Sequence, residues 1–292
     1  MAAAAEIARA GSGHRARIER RRQMLTASLS LPALALLILL FALPVLRLMG
    51  LSIEAGTLQW YQKALSESLY LQVFWATFRI AAIVTAVSFL LSYPVAYLLA
   101  TTSRVWAALG FVFIVLPLWT SILVRTYAWM VLLGRNGVFN KILIDLGLTD
   151  QPIGLLYNEL GVVIGMVHVL MPYMVLPIYS AMKRIDPSLI QAAEGLGAPG
   201  SRIFLRIFLP LTAPGIYAGC VLVFVLSLGF FITPALLGGG HVMMIAVLIE
   251  QQVHEALNWE FAGALATVLL VATLAIYGLT RGLMRGAAEE SA

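Results

Sequence analysis

Six stretches without a single Asp, Glu, Lys or Arg constrain this chain more than any motif: residues 23–46, 80–103, 105–124, 160–182, 207–240 and 261–280. A helix needs about 20 apolar residues to cross a hydrocarbon core of about 30 Å. Inside that core every backbone N–H and C=O must be bonded within the segment, which a helix achieves. The expected fold class is therefore all-α, a polytopic membrane protein with six transmembrane helices near 28–52, 72–102, 106–133, 160–183, 214–237 and 259–283. Composition agrees: 61% of the residues are hydrophobic and 11% charged, against about 25% charged in a soluble domain. The run 207–240 is too long for one straight span. Pro210 and Pro214 at its start, and Pro234 with Gly238, Gly239 and Gly240 at its end, predict irregular flanks.

The basic residues set an orientation. Arg9, Arg15, Arg17, Arg20, Arg21 and Arg22 precede the first span. With six crossings, Arg104, Lys183, Arg184, Arg202, Arg206, Arg281 and Arg285 fall on that same side. The positive-inside rule then places both termini in the cytoplasm, and an odd number of spans would break the bias. The net charge of +5 thus reflects topology rather than nucleic-acid binding. The first span has the basic flank of a signal peptide, but it is long and no small-residue cleavage site follows, so it reads as a retained helix. The expected organisation is a basic cytoplasmic tail over 1–24, a six-helix domain over 25–285 and a short tail over 286–292. On the outer side, Val138–Leu146 predicts a short amphipathic helix, and Met243–Ile249 a re-entrant or interfacial segment.

The loop between spans four and five, residues 184–213, carries the most specific pattern. Asp186 can cap a helix, Pro187 suits its first position, and Gly197 suits a left-handed exit. Ser201 is expected to cap a second helix ending before Pro210. Ala192, Ala193, Gly197, Ile207, Leu209 and Pro210 stand at the spacing of the Glu-Ala-Ala loop of ABC importer permeases, which this chain resembles. In that family the loop is a coupling helix that docks on an ATPase subunit. The resemblance implies an ATPase-coupling role for Gln191, Ala192, Ala193, Glu194, Gly197, Ile207, Leu209 and Pro210. Gln191 stands where the family has Glu, and a neutral amide can hydrogen-bond but not pair as an ion. Glu194, one turn on, is placed to take over part of that role.

The resemblance extends along the chain. Leu116–Trp129, Leu133–Gly137 and Phe231–Gly239 look like segments of spermidine/putrescine permeases. This implies a permease subunit that forms, with a second permease (a different chain), the pathway for ATP-driven uptake of a polyamine. Related permeases carry another small amine, an amino-acid-like compound, a phosphonate or iron; a secondary transporter is the rival outside the family. The implied partners are two ATPase subunits, a periplasmic or lipid-anchored solute-binding protein and membrane lipid, with no nucleic acid. The implied location is the bacterial inner membrane. No cofactor is expected on this chain; ATP and Mg belong to the ATPase. No Gly-rich loop ending in Gly-Lys-Ser/Thr and no nucleophile–base–carboxylate set is present, so the chain reads as a transporter subunit and not an enzyme.

Candidate pathway or outer-gate residues are Trp119, Arg125, Phe230, Phe231, Thr233, Pro234, Trp259 and Glu260. Arg125 lies roughly 26 Å from the cytoplasmic end of its span at 1.5 Å per residue. It reads either as a side chain reaching the outer interface or as half of an ion pair at the outer gate or partner permease. Pro234 frees backbone carbonyls, which are tolerated where they line a cavity. Glu159, Glu250, Glu255 and Glu260 read as solvated charges or as attractors of a polycation, with Glu260 beside Trp259 the best placed. His168 lacks a second ligand nearby and reads as a packed polar residue. Cys220, the sole cysteine, reads as a small packing residue.

Overall fold

The computed structural model describes Ser28, residues 31–53 and residues 58–290. The expected basic tail over 1–24 lies outside them. Two units result, one ending at Thr57 and one beginning at Leu58. Among the described residues every regular element is helical. Five helices are long and apolar enough to cross a membrane, or six when one bent pair counts as a single span.

The first unit contributes α1 (Leu31–Leu51), with a mean hydropathy of 2.5. Leu34, Ile38 and Phe41 on it are exposed, as a span facing lipid or another subunit allows.

The second unit is built on α3 (Ser68–Thr101), α7 (Glu159–Met182) and α10 (Leu209–Leu228). Ile80, Val84, Met166, Leu170, Met174, Ile178 and Val223 form their shared core. Lipid offers no hydrophobic drive between spans, so helices associate through close packing at small residues. Gly215 and Gly219, four apart on α10, supply it. A Cβ on Gly215 would lie 2.5 Å from Ala181 Cβ and 2.7 Å from the Pro177 carbonyl oxygen; one on Gly219 would lie 2.7 Å from Met174 Sδ. Two contacts tie α3 to α7 near the ends of α7. Arg79 pairs with Glu159 at one end. At the other, Lys183 Nζ donates to the Ala100 carbonyl at 3.0 Å, a cation on the free carbonyls of a helix C-terminus. These two contacts define a Glu159 end and an Asp186 end of the bundle.

Two expected helices are interrupted. The span expected over 106–133 divides into α4 (Arg104–Val115), a 3₁₀ turn over Leu116–Trp119 and α5 (Ile122–Leu133). The stretch Arg104–Trp119 is bent by 102° from Ile122–Asp145. Pro117 removes a backbone donor and its ring opposes the carbonyl four residues back. Thr120 then holds the turn by donating from its hydroxyl to the Pro117 carbonyl at 2.8 Å. The helix expected over 214–237 ends at Leu228 and restarts as α11 (Ile232–Gly238). Pro234 sits third in α11, where the missing N–H would have no intrahelical partner anyway. It starts a helix rather than bending one.

The loop beyond α7 also departs from expectation at its second half. α8 (Pro187–Gly195) forms as its punctuation predicts. The next helix begins at Gly200, with Pro199 and not Ser201 at its N-cap position and no side-chain cap, and it does not stop at Pro210. α9 (Gly200–Ile203) passes through a π turn, Phe204–Phe208, straight into α10. The π turn widens the backbone where the Pro210 ring would otherwise meet the Arg206 carbonyl.

The remaining elements cover the Glu159 end. α2 (Gln59–Ser66), α12 (Ile245–His254) and α13 (Trp259–Glu290) pack round Phe261 and Leu265. The short helix expected at 138–146 is α6 (Val138–Asp145). The apolar stretch at 243–249 enters α12, whose first amide, Ile245 N–H, donates to Thr77 Oγ1 on α3 at 2.8 Å. α13 continues to Glu290, into the segment expected as a tail.

Candidate functional site

At the Asp186 end, α8 is held from both sides. Asp186 Oδ1 accepts the Ser188 N–H at 2.9 Å. That bond holds the Asp186 carboxyl below the usual carboxylate range. Past the other end, Gly197 takes φ +76, a conformation that L side chains resist and glycine does not. Ala193 turns inward and is 9% exposed. Gln191, Ala192, Glu194 and Gly197 face outward. Leu189 is 48% and Leu196 88% exposed beside them, so α8 presents an apolar rim around small side chains, the composition of an interaction surface. Ile207 and Leu209 are half-buried in the helix that follows, and Pro210 is exposed.

Behind that surface lies an aromatic ladder that the loop sequence alone does not reveal. Phe204 and Phe208 of the π turn stack at 6.0 Å. Phe204 meets Tyr93 at 6.1 Å and Tyr97 at 6.0 Å, and Phe208 meets Tyr97 at 5.3 Å, all edge-on. Thr212 donates to the Leu209 carbonyl at 2.8 Å. Its hydroxyl is therefore the acceptor in the 3.3 Å contact with Tyr93. The segment after α8 is thus fixed to α3 by rings and one hydrogen bond, a rigid connection between the loop and a long helix.

The candidate pathway residues do not form one cluster. Thr233, 1% exposed, joins α11 to α5. Thr126 gives its proton to the Ile122 carbonyl at 2.8 Å, leaving Thr233 as donor across the 3.3 Å between the two hydroxyls. Pro234 is buried next to it, Phe230 is half-buried and Phe231 is 42% exposed. Arg125, beside Thr126, is half-buried. Its Nε and Nη1 are buried without a hydrogen-bond partner among the described residues. One turn on, Trp129 donates to His168, so His168 is packed and bonded. Trp119 is 87% exposed. It sits on the break between α4 and α5 and lines a hollow of about 440 Å³ with Phe111, Val112, Val115 and Leu116. Trp259 is 51% exposed, and Glu260 accepts the Trp60 indole N–H at 2.9 Å. These two belong with the α2–α13 packing, not with α5 and α11. Of the other acidic residues weighed from sequence, Glu159 is taken by Arg79, and Glu250 lies 3.5 Å from His254. Cys220 borders an apolar cavity of about 420 Å³ between α3, α10 and α13.

No group of three or more His, Cys, Asp or Glu side chains converges on a metal position among the described residues. Long apolar helices and a capped, exposed helix between the spans α7 and α10 define a polytopic membrane protein with a surface open to another subunit.

Relatives place the chain further. The sequence pattern of the binding-protein-dependent transport system inner membrane component matches residues 21–285, and the chain belongs to that family. It is 39% identical over 212 residues to the spermidine/putrescine transport system permease protein PotB of Haemophilus influenzae, covering 72% of this chain and 74% of that one. It is 35% identical over 215 residues to PotB of Escherichia coli K12, covering 74% and 78%. The crystal structure of a bacterial alginate ABC transporter, in complex with an alginate pentasaccharide-bound periplasmic protein, includes a chain of the same fold. That chain superposes with a TM-score of 0.72 at 17% identity, over 88% of this chain and 92% of its own. The protein is a multi-pass permease subunit of an ABC importer of the inner membrane. ATP hydrolysis in such systems lies in a separate subunit.

Proposed function

We propose that this permease carries a polyamine, spermidine or putrescine, in partnership with a second and different permease chain. The observation that carries the reading is the identity of 35–39% to spermidine/putrescine permeases over more than seven-tenths of the chain. Two ATPase subunits, which bind ATP and Mg, engage the permease pair at the Asp186 end, and both termini lie on that cytoplasmic side. The exposed rim of α8 supports the docking role: Leu189, Ala192 and Leu196 are apolar surface on a water-facing loop. Gln191 and Glu194 supply polar contacts at its edge, and the aromatic ladder conducts displacement of α8 into α3. A periplasmic or lipid-anchored binding protein delivers cargo at the Glu159 end. Thr233, Pro234, Phe230 and Phe231 border the pathway beside Arg125, and Trp119 and Trp259 stand at its edges. Arg125 Nε and Nη1, buried without a partner among the described residues, take an acceptor from the second permease, since a buried guanidinium donor left unpaired is costly.

The direct test is uptake of labelled spermidine and putrescine into vesicles carrying this subunit with its co-purifying partners and binding protein. Uptake lost with an inactive ATPase establishes the cargo. An assembly that hydrolyses ATP yet takes up neither amine moves the cargo to another small solute.

A further inference from the structure

Three rings from three different elements converge on one ammonium at the Glu159 end. Lys63 Nζ lies 5.1 Å from the centre of the Phe261 ring, 5.8 Å from Trp60 and 6.0 Å from Tyr70. The rings brace one another, with Phe261 5.6 Å from Trp60 and 5.0 Å from Tyr70. Phe261 is 1% and Tyr70 9% exposed, so their positions are set by the core around them. The Trp60 ring is held by its bond to Glu260. Among the described residues Lys63 has no ion-pair partner; what holds its ammonium is the set of ring faces.

One cation over one ring is an ordinary surface contact. Several faces around a single ammonium form a cage of the kind that holds ligand ammonium groups through ring faces, best known for quaternary ammonium. The occupant here is tethered: a lysine side chain is four methylenes ending in an ammonium, the same chemical group as the end of an aliphatic diamine. We propose that Trp60, Tyr70 and Phe261 form a binding site for a primary alkylammonium group of the cargo, and that Lys63 fills it as a built-in stand-in. Cargo enters by exchanging its ammonium for that of Lys63, which swings into water on its flexible stem. Exchange keeps the rings covered when no cargo is present. It also sets a threshold, because the cargo amine competes with a group already in place. Glu260, holding Trp60, keeps a carboxylate at the rim where a polycation approaches. The choice of a polyamine as the ligand rests on the function proposed above; the cage itself does not.

The test uses the assembled transporter in nanodiscs, without binding protein, and measures labelled putrescine binding. Lys63→Met keeps the apolar stem and removes the charge. Its putrescine affinity is expected to rise between roughly threefold and thirtyfold, the span of one cation–π contact from wet to dry surroundings. The added change Phe261→Leu should abolish the gain, and Lys63→Arg, which keeps a cation in the cage, should bind as wild type does. Lys63→Gln replaces Lys63→Met if the latter does not assemble with the ATPase. Unchanged affinity in the variant that assembles overturns the proposal, as does failure of both to assemble, which assigns Lys63 to the fold alone. A gain in putrescine affinity without polyamine uptake by the wild type would leave the cage standing and remove the cargo assignment. Polyamine uptake without the gain would do the reverse.

Discussion

Trp129 and His168 meet edge to face, ring centres 5.6 Å apart, with the indole Nε1 donating to His168 Nδ1 at 3.1 Å. An indole nitrogen can only donate, so His168 Nδ1 carries no proton and the ring is the neutral tautomer with its proton on Nε2. The bond ties α5 to α7 on the face that also carries Arg125. Phe139 of α6 also stacks on Trp129, ring centres 6.0 Å apart.

Trp129→Phe keeps an aromatic ring at this position but removes the donor and part of the indole's packing. It should lower the stability of the solubilised subunit by about 1–3 kcal/mol, from the partly buried acceptor left unpaired and the packing lost with the larger ring. A melting curve in detergent reads this directly. An unchanged midpoint would mean that water reaches His168 and the pair contributes nothing.

The contact of α10 on α7 depends on the absence of side chains at Gly215 and Gly219. Gly215→Ala should destabilise by about 1–3 kcal/mol, because the new methyl meets the Pro177 backbone oxygen and Ala181, neither of which can rotate away. Gly278→Ala is the control. No atom lies within 4 Å of its added Cβ, and alanine favours a helix by about 1 kcal/mol over glycine. Equal melting points for the two variants would refute close packing as the basis of the contact.

How much of this was legible in sequence follows from what each feature depends on. The helix ends near Glu159, Met182 and Trp259 were readable because charge marks where hydrocarbon stops. α8 was readable because its caps are local, and so was the left-handed Gly197. Pro117 marks a bend in sequence and Pro234 an irregular flank, but the places where the helices break, at Leu116–Trp119 and before Ile232, were not legible, since the residues on both sides are apolar whether the helix bends, breaks or continues. Pro210 was misleading for a related reason: a proline that ends a helix and one absorbed by a π turn look alike in sequence. The candidate pathway residues were chosen for their place along the chain. The structure separates them because Trp259 and Glu260 join a cluster with Trp60, a partner two hundred positions away. The cage around Lys63 was invisible for the same reason, with Phe261 contributed by the last span.

The cap at Asp186 has a defined pH dependence. Its carboxyl is held below the ordinary range by the Ser188 N–H, so the folded form binds its proton less readily than the unfolded chain. The contribution of the cap is complete above the ordinary carboxylate value of about 4 and is lost as pH falls through the lowered value. Hydrogen exchange should find α8 equally protected from neutral pH down to that ordinary value, after correction for the intrinsic rate, and weakened only in stronger acid. Asp186→Asn, which caps without titrating, should remove the acid step. A loss of protection already near neutral pH would show that another group controls the helix.

Gly197 separates the shape of the α8 exit from the bulk that the loop can tolerate. No atom lies within 4 Å of a Cβ added there, so substitution strains the backbone rather than the packing, by about 1–2 kcal/mol for most residues held left-handed. Asparagine adopts that conformation more readily than other residues, so Gly197→Asn should keep most of the uptake. Gly197→Trp places a large ring beside Leu196, on the surface proposed to dock on the ATPase. It should insert into the membrane and express normally while uptake falls towards background and ATP hydrolysis no longer responds to loaded binding protein. Normal uptake by a well-expressed Gly197→Trp subunit would move the docking surface away from α8. Equal loss in the Trp and Asn variants would point instead to the turn itself, and to a requirement that only glycine meets.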